Sequence, residues 1–243
     1  MKKTVLIIGA NSDVAKEIAR LYAKKEYGIE LASRDMEMLD LIAVDLKTRS
    51  GVEVVTHYLD VTDFKSHDAF ISGLSALPSV VVSAAGYMGK KDDMSSDNIK
   101  LITDINYTGQ ASILEKIAHK MRDSKHTGVI VGISSVAGER GRKANYIYGS
   151  AKAAFTSYLS GLRNAMYQYN IHVLTVKPGF IDTKMTQGLD LPAMLTAQPD
   201  EVANDIVRAV ENKKNIIYTK WIWKYIMLVI KCIPEFQFKK MSI

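Results

Sequence analysis

Cysteine is scarce in this chain of 243 residues, which contains only one, Cys232. A single cysteine excludes an internal disulfide framework and is typical of a reducing compartment. Long apolar runs are also missing, because no segment has the roughly 18 uninterrupted apolar residues that a membrane-spanning helix needs. Residues 1–9 begin like a signal peptide, but their apolar part is too short and leads directly into a glycine turn. We therefore interpret them as a first strand and expect a cytoplasmic protein.

Histidine is infrequent as well, and its positions show no spacing typical of metal ligands. The five histidines are His57, His67, His119, His126 and His172. We predict no metal site, and expect each of these side chains to be solvated or hydrogen-bonded locally.

Positive charge is concentrated at the C-terminal end. The whole chain has a formal net charge of +6. The stretch from Lys213 onward contains seven lysines and one acid, Glu235, so it carries this entire excess and residues 1–212 are neutral overall. A uniformly basic chain would favour nucleic acid as the partner. A neutral body with a basic end argues against nucleic acid and indicates a local role for that end.

Short apolar runs alternate with stretches of helical periodicity along most of the chain. The predicted strands are 4–9, 29–33, 52–59, 80–83, 129–133, 171–176 and 216–218. The predicted helices are 14–22, 35–49, 64–77, 96–106, 108–121, 148–169 and 199–212. This alternation predicts an α/β fold with a doubly wound, Rossmann-like parallel sheet in three α/β/α layers. We expect residues 1–218 to form one domain, with residues 219–243 as an appended amphipathic tail that is not an independent domain.

A tyrosine and a lysine stand four residues apart in the stretch 134–152. On a helix, Tyr148 and Lys152 lie on one face about a turn apart. A nearby ammonium group lowers a tyrosine's pKa and allows it to work as an acid or base. Ser135 stands thirteen residues before Tyr148, at the end of a predicted buried strand, where open α/β sheets carry their chemistry. Such a pair is weak by itself, since it also occurs by chance on surfaces.

The pair is accompanied by further motifs, each lying after a predicted strand or on the neighbouring helix. They are the turn Gly9–Ala15, Asp60-Val61, Ala85-Gly86, Asn106 in Asp104-Ile105-Asn106, and Pro178–Thr183. In this order and spacing, together with Ser135, Tyr148 and Lys152, they resemble the motifs of the short-chain dehydrogenase/reductase family over about residues 4–218.

The resemblance implies an oxidoreductase that transfers hydride between a nicotinamide cofactor and a carbonyl or secondary alcohol. It implies that Ser135 stabilises the carbonyl oxygen, that Tyr148 donates the proton, and that Lys152 lowers the pKa of Tyr148 and binds the nicotinamide ribose. It also implies that Asn106 holds a water linking Lys152 to solvent. The implied cofactor-binding residues are Gly9, Asn11, Ser12, Val14, Ser33, Arg34, Asp60, Val61, Ala85, Gly86, Tyr148, Lys152, Pro178, Gly179, Ile181 and Thr183.

Two turns depart from the family pattern. In the first turn only Gly9 is kept, while Asp13 and Ala15 replace the other glycines. We expect Asp13 to cap the following helix with its side chain in solvent, the alternative being repulsion of the pyrophosphate. In the turn after the fourth strand, Ser83 and Ala84 replace two asparagines, so we expect side-chain hydrogen bonds there to be weaker or absent.

Ser33 and Arg34 bear on the choice of cofactor. Relatives that use NAD place an acid at the end of the second strand, where it accepts hydrogen bonds from the adenosine ribose. A hydroxyl and an arginine suit a 2′-phosphate instead. We predict NADP(H) as the preferred cofactor, with NAD(H) as the alternative if Arg34 pairs with Asp35 or Glu37 on the surface.

The sequence of the tail predicts an amphipathic helix with lysines along one side. Lys220, Lys224 and Lys231 fall within about 40° of one another at helical spacing, and most of the remaining positions are apolar or aromatic. This pattern fits a helix in the interface of an anionic membrane. The alternatives are a helix buried in a dimer interface or lying across the substrate cleft. The tail also loosely resembles those of family members that reduce lipid-linked keto-sugars, such as decaprenylphosphoryl-2-keto-ribose reductases.

The substrate is a small-molecule or lipid-linked carbonyl compound in this interpretation. Residues 184–198, with Met185, Met194 and Leu195, are expected to cover the cleft. A soluble 3-oxoacyl thioester reductase is the second enzyme hypothesis, and a non-catalytic NADP-binding regulatory or scaffold protein is the alternative from another class. We also expect a homo-oligomer, with the membrane surface as a second location beside the cytoplasm.

Overall fold

A computed structural model describes residues 3–90, 93–188 and 190–241. A parallel sheet of seven strands forms its centre, and a pair of two-residue strands lies outside it. In chain order the strands are β1 Thr4–Ile8, β2 Gly28–Ser33, β3 Val54–Tyr58, β4 Val80–Ser83, β5 Gly128–Ile133, β6 Ile171–Pro178, β7 Phe180–Ile181, β8 Thr196–Ala197 and β9 Ile216–Thr219. The central order is β3-β2-β1-β4-β5-β6-β9, and β7 pairs with β8. The predicted doubly wound sheet is confirmed.

The helices lie on both faces of this sheet. They are α1 Asp13–Lys24, α2 Met36–Ser50, α3 His67–Ser72, α4 Ser96–Thr103, α5 Gly109–Asp123, α6 Tyr146–Met166, α7 Pro199–Glu211, α8 Ile222–Cys232 and α9 Glu235–Phe238. A π-helical turn, Asp104–Thr108, joins α4 to α5 without a break. The two helices that the sequence predicted there are therefore one continuous helical stretch.

The helix predicted over residues 64–77 is wrong at both ends. Only His67–Ser72 is helical, and Gly73 closes the helix with its N–H on the carbonyls of Ala69 and Phe70. The preceding residues form a separate turn, in which the Ser66 N–H donates to the Asp63 carbonyl. Gly73 and the nearby Pro78 are poor helix residues, so the apolar spacing in this segment overstated the helix length.

Local capping chemistry fixes the ends of the other helices. The Asp35 side chain accepts from the Met38 N–H at the start of α2, and Gly51, in the left-handed region at φ 67°, ends that helix. At the start of α7, Gln198 and Glu201 form a capping box ahead of Pro199.

Strand side chains alternate between two buried layers. On β1, Val5 and Ile7 belong to the core under α1, α2 and α7. Leu6 and Ile8 point the opposite way, into the core under α5 and α6. Strands that are buried on both faces read as continuous apolar runs, which explains why they could be identified from sequence.

The topology brings the predicted motifs to one edge of the sheet. β1 and β4 are neighbours, and successive strands then extend outward in opposite directions from this pair. The crevice at such a reversal, outside the carboxyl ends of the strands, is where open α/β sheets bind ligands. The turns after β1, β4, β5 and β6 all open there.

The C-terminal tail forms α8 and α9 and packs against the body of the molecule. Trp223 and Met227 are buried in a small apolar cluster with Val136, which follows β5. Within the described ranges, no helix is both long enough and apolar enough to cross a bilayer.

Candidate active site

The turn after β1 forms a cradle of backbone N–H groups. Gly9 has φ +76°, and a Cβ at this position would lie 2.7 Å from the Ala85 nitrogen. The N–H groups of Gly9 and Ala10 both donate to the Ala32 carbonyl, which fixes the turn against β2. Only glycine combines this backbone conformation with such a close approach. The turn delivers the chain to the N-terminus of α1, where orphan N–H groups favour an anion.

Ser12, not Asp13, caps α1. The Ser12 hydroxyl accepts from the Ala15 N–H, whereas Asp13 is the first residue of the helix. The Asp13 carboxylate lies 3.4 Å from Lys16 Nζ and accepts from the Lys184 N–H at 3.3 Å. Our expectation of a solvated capping side chain is therefore wrong. The carboxylate instead ties the first turn to the segment that follows β7.

Three predicted cofactor residues meet near the end of β2. The Asn11 amide donates to the Asp35 carbonyl at 3.0 Å, and its own Oδ1 is buried without a hydrogen-bond partner. The Arg34 side chain is 60% exposed, and it lies 3.8 Å from a carboxylate oxygen of Asp60. Neither partner considered in the sequence-based alternative, Asp35 or Glu37, pairs with Arg34 among the described residues.

Asp60 and Val61 form the turn after β3. The Asp60 carboxylate accepts from the backbone N–H and the hydroxyl of Thr62, at 2.9 and 2.8 Å. The Val61 carbonyl faces Gly109 at the start of α5, where a Cβ would lie 2.1 Å from it. The first turn of α5 thus holds the Asp60-Val61 turn in place.

Gln110 supplies the hydrogen bonds that were expected to be missing after β4. This fully buried side chain accepts from the Ser83 hydroxyl at 2.8 Å and donates to the carbonyls of Ala85 and Ile105. The expectation of weak or absent side-chain bonds at this turn is therefore wrong. Gln110 was missed because it comes from a helix 27 residues downstream of Ser83.

Asn106 lies fully buried in the π-helical turn. Its amide group donates to the carbonyls of Tyr87 and Ile102, and its Oδ1 accepts from the Tyr87 N–H at 3.2 Å. The side chain therefore fastens the segment after Gly86 to the helix. Both amide hydrogens are occupied, so a water on this side chain could bind only at Oδ1.

Ser135, Tyr148 and Lys152 come together at the carboxyl end of β5. The Ser135 hydroxyl lies close to the Tyr148 phenol. Lys152 Nζ lies 5.8 Å from the centre of the Tyr148 ring and donates to the Ile133 carbonyl at 3.0 Å. The lysine is 2% exposed. One of its three N–H donors is thus used by Ile133, which leaves donors for a ligand.

Burial dominates the electrostatics of this group. Burial raises the pKa of Tyr148 to about 12, against a smaller lowering by the Ser135 hydroxyl. Burial lowers the pKa of Lys152 to about 7. The direction for Tyr148 is opposite to the sequence-based expectation, because desolvation of the phenolate is the largest effect on this group. Tyr148 is therefore held as a neutral phenol, a proton donor.

Ser134 has a structural role next to Ser135. Its buried hydroxyl donates to the Lys152 carbonyl at 2.9 Å and contacts the Thr156 hydroxyl at 2.6 Å. These bonds fix α6 against the end of β5 and leave Ser135 as the serine that faces Tyr148.

Gly86 and Gly179 leave room for neighbouring side chains on two sides of the site. A Cβ on Gly86 would lie 3.4 Å from the Met185 methyl group and 4.0 Å from Lys152 Nζ. A Cβ on Gly179 would lie 1.9 Å from Trp223 Nε1 in the tail. Ile181 and Thr183 continue from Gly179 and are held by Thr186, whose hydroxyl donates to the Ile181 carbonyl.

These features define a dinucleotide-dependent oxidoreductase of the doubly wound α/β class. The short chain dehydrogenase family model matches residues 3–192. An uncharacterized oxidoreductase of Mycobacterium tuberculosis (strain H37Rv) is 32% identical over 242 residues, covering 98% of this chain and 96% of that protein. The chain belongs to the short-chain dehydrogenase/reductase family, whose members act on CH–OH groups with NAD(P).

Two solved structures share the fold. A short-chain dehydrogenase from Sphingobium yanoikuyae in complex with NADPH has a TM-score of 0.80, with 22% identity over 96% of this chain and 97% of that one. A 3-oxoacyl-[acyl-carrier protein] reductase from Brucella melitensis with bound NAD has a TM-score of 0.78, with 23% identity over 89% of each chain. Both likenesses concern the fold alone.

The residues present fit a dinucleotide. The left-handed turn at Gly9, the unpartnered Oδ1 of Asn11 and the uncommitted donors of Lys152 lie along the same strand-end edge. Gly9 and the α1 N-terminus would hold the pyrophosphate, and Lys152 would hold the ribose hydroxyls beside the nicotinamide.

Proposed function

We propose that the protein is an NADPH-dependent carbonyl reductase, or alcohol dehydrogenase in reverse, that uses Ser135, Tyr148 and Lys152. The observation that carries the proposal is that Ser135, Tyr148 and Lys152 lie together at the carboxyl end of β5, with Lys152 Nζ 5.8 Å from the Tyr148 ring centre. The cofactor supplies the hydride when bound. The protein must therefore orient the carbonyl, stabilise the charge that develops on its oxygen and provide a proton.

Each of the three residues has one of these tasks. The Ser135 hydroxyl donates a hydrogen bond to the carbonyl oxygen as negative charge develops there. Tyr148 transfers its phenolic proton to that oxygen, and its raised pKa keeps this proton in place until hydride arrives. Lys152, once charged, stabilises the phenolate that remains. The net reaction adds one hydride to the carbonyl carbon and one proton to the carbonyl oxygen.

Asn106 supports this chemistry by position. It holds the Tyr87 backbone beside Gly86, whose missing side chain leaves the space in front of Lys152 open. A water that relays protons from Lys152 to solvent would donate a hydrogen bond to the remaining lone pair of Asn106 Oδ1.

Removal of the Tyr148 hydroxyl by substitution tests the proposal. We expect Tyr148→Phe to bind NADPH like the wild type but to lose about 10²- to 10⁴-fold in ketone-dependent NADPH oxidation. Tyr146→Phe is the matched control, because Tyr146 is half exposed and its hydroxyl contacts Met94 Sδ at 3.6 Å. The panel should contain simple ketones, a 3-oxoacyl thioester and a lipid-linked keto-sugar. Equal rates in both variants would contradict the proposal, and no oxidation of NADPH by the wild type would favour the scaffold hypothesis.

NADP(H) is the proposed cofactor because of Arg34. Its guanidinium is mostly exposed and, among the described residues, pairs only with Asp60 over a long 3.8 Å contact, so it is available for a 2′-phosphate. We expect a higher kcat/KM with NADPH than with NADH, and a loss of this preference in Arg34→Ala. Arg49→Ala is the control, since Arg49 lies on α2 and pairs with Asp45. A clear preference for NADH in the wild type would refute the assignment.

A membrane surface is the proposed location for a lipid-type substrate. The side of α8 that faces away from the protein is apolar and exposed; it comprises Trp221, Tyr225, Leu228 and Val229. These residues recur at helical spacing opposite the buried Trp223, and exposed lysines flank them. A tryptophan-bearing apolar face with basic neighbours is typical of a helix lying in an anionic interface.

Vesicle sedimentation with the full chain tests this location. We expect binding to vesicles that contain phosphatidylglycerol, and loss of binding in the double variant Tyr225→Glu/Leu228→Glu. Tyr167→Glu changes a tyrosine outside the tail that is even more exposed than Tyr225, and it should bind like the wild type. Absence of wild-type binding, or unchanged binding by the double variant, would refute the membrane proposal. If the wild type and Tyr167→Glu form a dimer whose population rises with concentration, and the double variant does not, the exposed face of α8 would instead be an interface with a second copy of the chain.

A further inference from the structure

Two charged residues shortly after Ser135, Glu139 and Arg140, are not used by the proposed chemistry. A short 3₁₀ turn, Val136–Gly138, follows Ser135 directly, and its first bond runs from the Ala137 N–H to the Ser135 hydroxyl at 3.1 Å. Glu139 and Arg140 come next. Both turn away from the cleft and bind the C-terminal tail.

Glu139 joins four parts of the chain. Its side chain is 5% exposed, and its carboxylate accepts hydrogen bonds from Lys177 on β6, Lys231 on α8 and the Tyr218 hydroxyl on β9. Burial by itself would raise the pKa of Glu139, but these three donors hold it below its usual value. The carboxylate is therefore charged at neutral pH and bound to all three of these donors.

Arg140 binds the end of α8 and the start of α9. Its Nη1 donates to the carbonyls of Ile230 and Ile233, both at 2.6 Å, where the helix leaves carbonyl groups without partners. Its Nη2 pairs with Glu235 at 2.9 Å, and the guanidinium lies 3.7 Å from the centre of the Phe238 ring. One arginine thus holds both tail helices.

The tail helix in turn contacts the other segments around the cleft. Trp223, 3% exposed, packs beside Gly179 after β6 and donates from Nε1 to the Leu195 carbonyl at 3.0 Å. Val136, the residue after Ser135, belongs to the same apolar cluster. The tail helix therefore touches the segments after β5 and β6 and, through Leu195, the segment 184–198.

We propose that Glu139 and Arg140 are positioning residues that hold Ser135 in place by clamping the tail helix against the segment after β5. The inference rests on the proposed function for its effect on catalysis. If the clamp is released, the turn that carries the Ser135 hydroxyl loses its support on β6, β9 and α8. A displacement of a catalytic group by about 1 Å costs up to about 10²-fold in rate. The cofactor turn after β1 takes no part in the clamp.

The two tryptophans of the chain allow clamp release to be measured directly. Trp221 is 72% exposed and Trp223 is buried, and the chain has no other tryptophan. In a Trp221→Phe parent, emission therefore reports only whether Trp223 is docked. We expect Arg140→Ala to shift that emission to longer wavelength and increase quenching by acrylamide. Glu139→Gln, which keeps the shape of the side chain, should produce a smaller shift in the same direction.

Kinetics and amide exchange separate positioning from a general loss of stability. In Arg140→Ala we expect the rate of NADPH oxidation to fall roughly ten- to a hundredfold, while NADPH affinity stays within about twofold. Hydrogen exchange at the Ala137 amide should become faster, because the Ser135 hydroxyl holds it. Arg140→Lys should recover part of the rate, since an ammonium can still donate to helix carbonyls. Arg122→Ala, which removes a surface arginine from α5, should change none of these quantities.

Three results decide between the claims. Release of Trp223 in Arg140→Ala with an unchanged oxidation rate and unchanged exchange at Ala137 would overturn the positioning role. Unchanged Trp223 emission in both Arg140→Ala and Glu139→Gln would overturn the clamp itself. If the parent oxidises no NADPH, the proposed function fails, and exchange at Ala137 then decides the positioning claim because it requires no turnover.

Discussion

Burial of the Lys152 side chain has a free-energy cost to folding, and this cost depends on pH. The residue is 2% exposed, and within the described part of the chain its ammonium has a single hydrogen bond, to the Ile133 carbonyl. Burial lowers the pKa of Lys152 from 10.5 to about 7. This difference corresponds to about 5 kcal/mol of unfavourable free energy when both the folded and the unfolded chain carry the charge. Replacing Lys152 by methionine removes the charge and keeps most of the apolar stem.

The sign of the pH dependence follows from proton binding. Below pH 7 the lysine is charged in both states, so folding bears the full cost. Between pH 7 and 10.5 the unfolded chain binds more protons than the folded one, so the free energy of unfolding rises with pH. Above pH 10.5 the cost has disappeared. From pH 6.5 to 9.5 the contribution of Lys152 should therefore become about 3 kcal/mol more favourable.

Urea unfolding of the wild type and Lys152→Met at these two pH values measures this contribution. We expect Lys152→Met to be more stable than the wild type at pH 6.5, with an advantage that shrinks by about 3 kcal/mol at pH 9.5. Other titrating groups cancel in the difference. Lys47→Met, at an exposed position on α2, is the control for the exchange of a lysine for methionine. A constant difference for Lys152→Met would refute the burial argument.

Three further substitutions test the packing of the site. Gly9→Ala should weaken NADPH binding at least about tenfold in a fluorescence titration, because its Cβ would lie 2.7 Å from the Ala85 nitrogen. Gly109→Ala, whose Cβ would lie 2.1 Å from the Val61 carbonyl, should cost about 1–3 kcal/mol in urea unfolding. Trp223→Ala should cost about 3–5 kcal/mol in the same assay, since the ring is buried. Unchanged values would contradict each of these arguments.

Local patterns predicted most elements of this protein and the side chains that the fold brings together at the proposed site. The strands are apolar runs buried on both faces, and Tyr148 and Lys152 are related by one helical turn, so neither required knowledge of distant contacts. The sheet topology then placed their helix next to Ser135. These features depend on spacing along the chain, which a single sequence displays.

Contacts between distant residues could not be predicted in the same way. Gln110 supplies the buried bonds after β4 from another helix, and Arg140 reaches the tail across about 90 residues of sequence. The rise in the pKa of Tyr148 was also missed, because desolvation depends on the surrounding fold and the sequence displays only the neighbouring lysine. Such effects arise from packing, for which these residues carry no local signal.

Transfer of a labelled hydride tests the central claim most directly. NADPH deuterated at C4 of the nicotinamide, on each face in turn, would be incubated with the wild type and with a ketone that supports its oxidation. We predict an alcohol with deuterium on the former carbonyl carbon from one of the two labelled cofactors, formed about 10²- to 10⁴-fold more slowly by Tyr148→Phe. Consumption of NADPH without deuterium in the alcohol, or labelling at an equal rate by Tyr148→Phe, would contradict the assignment of Ser135, Tyr148 and Lys152 as the reductase site.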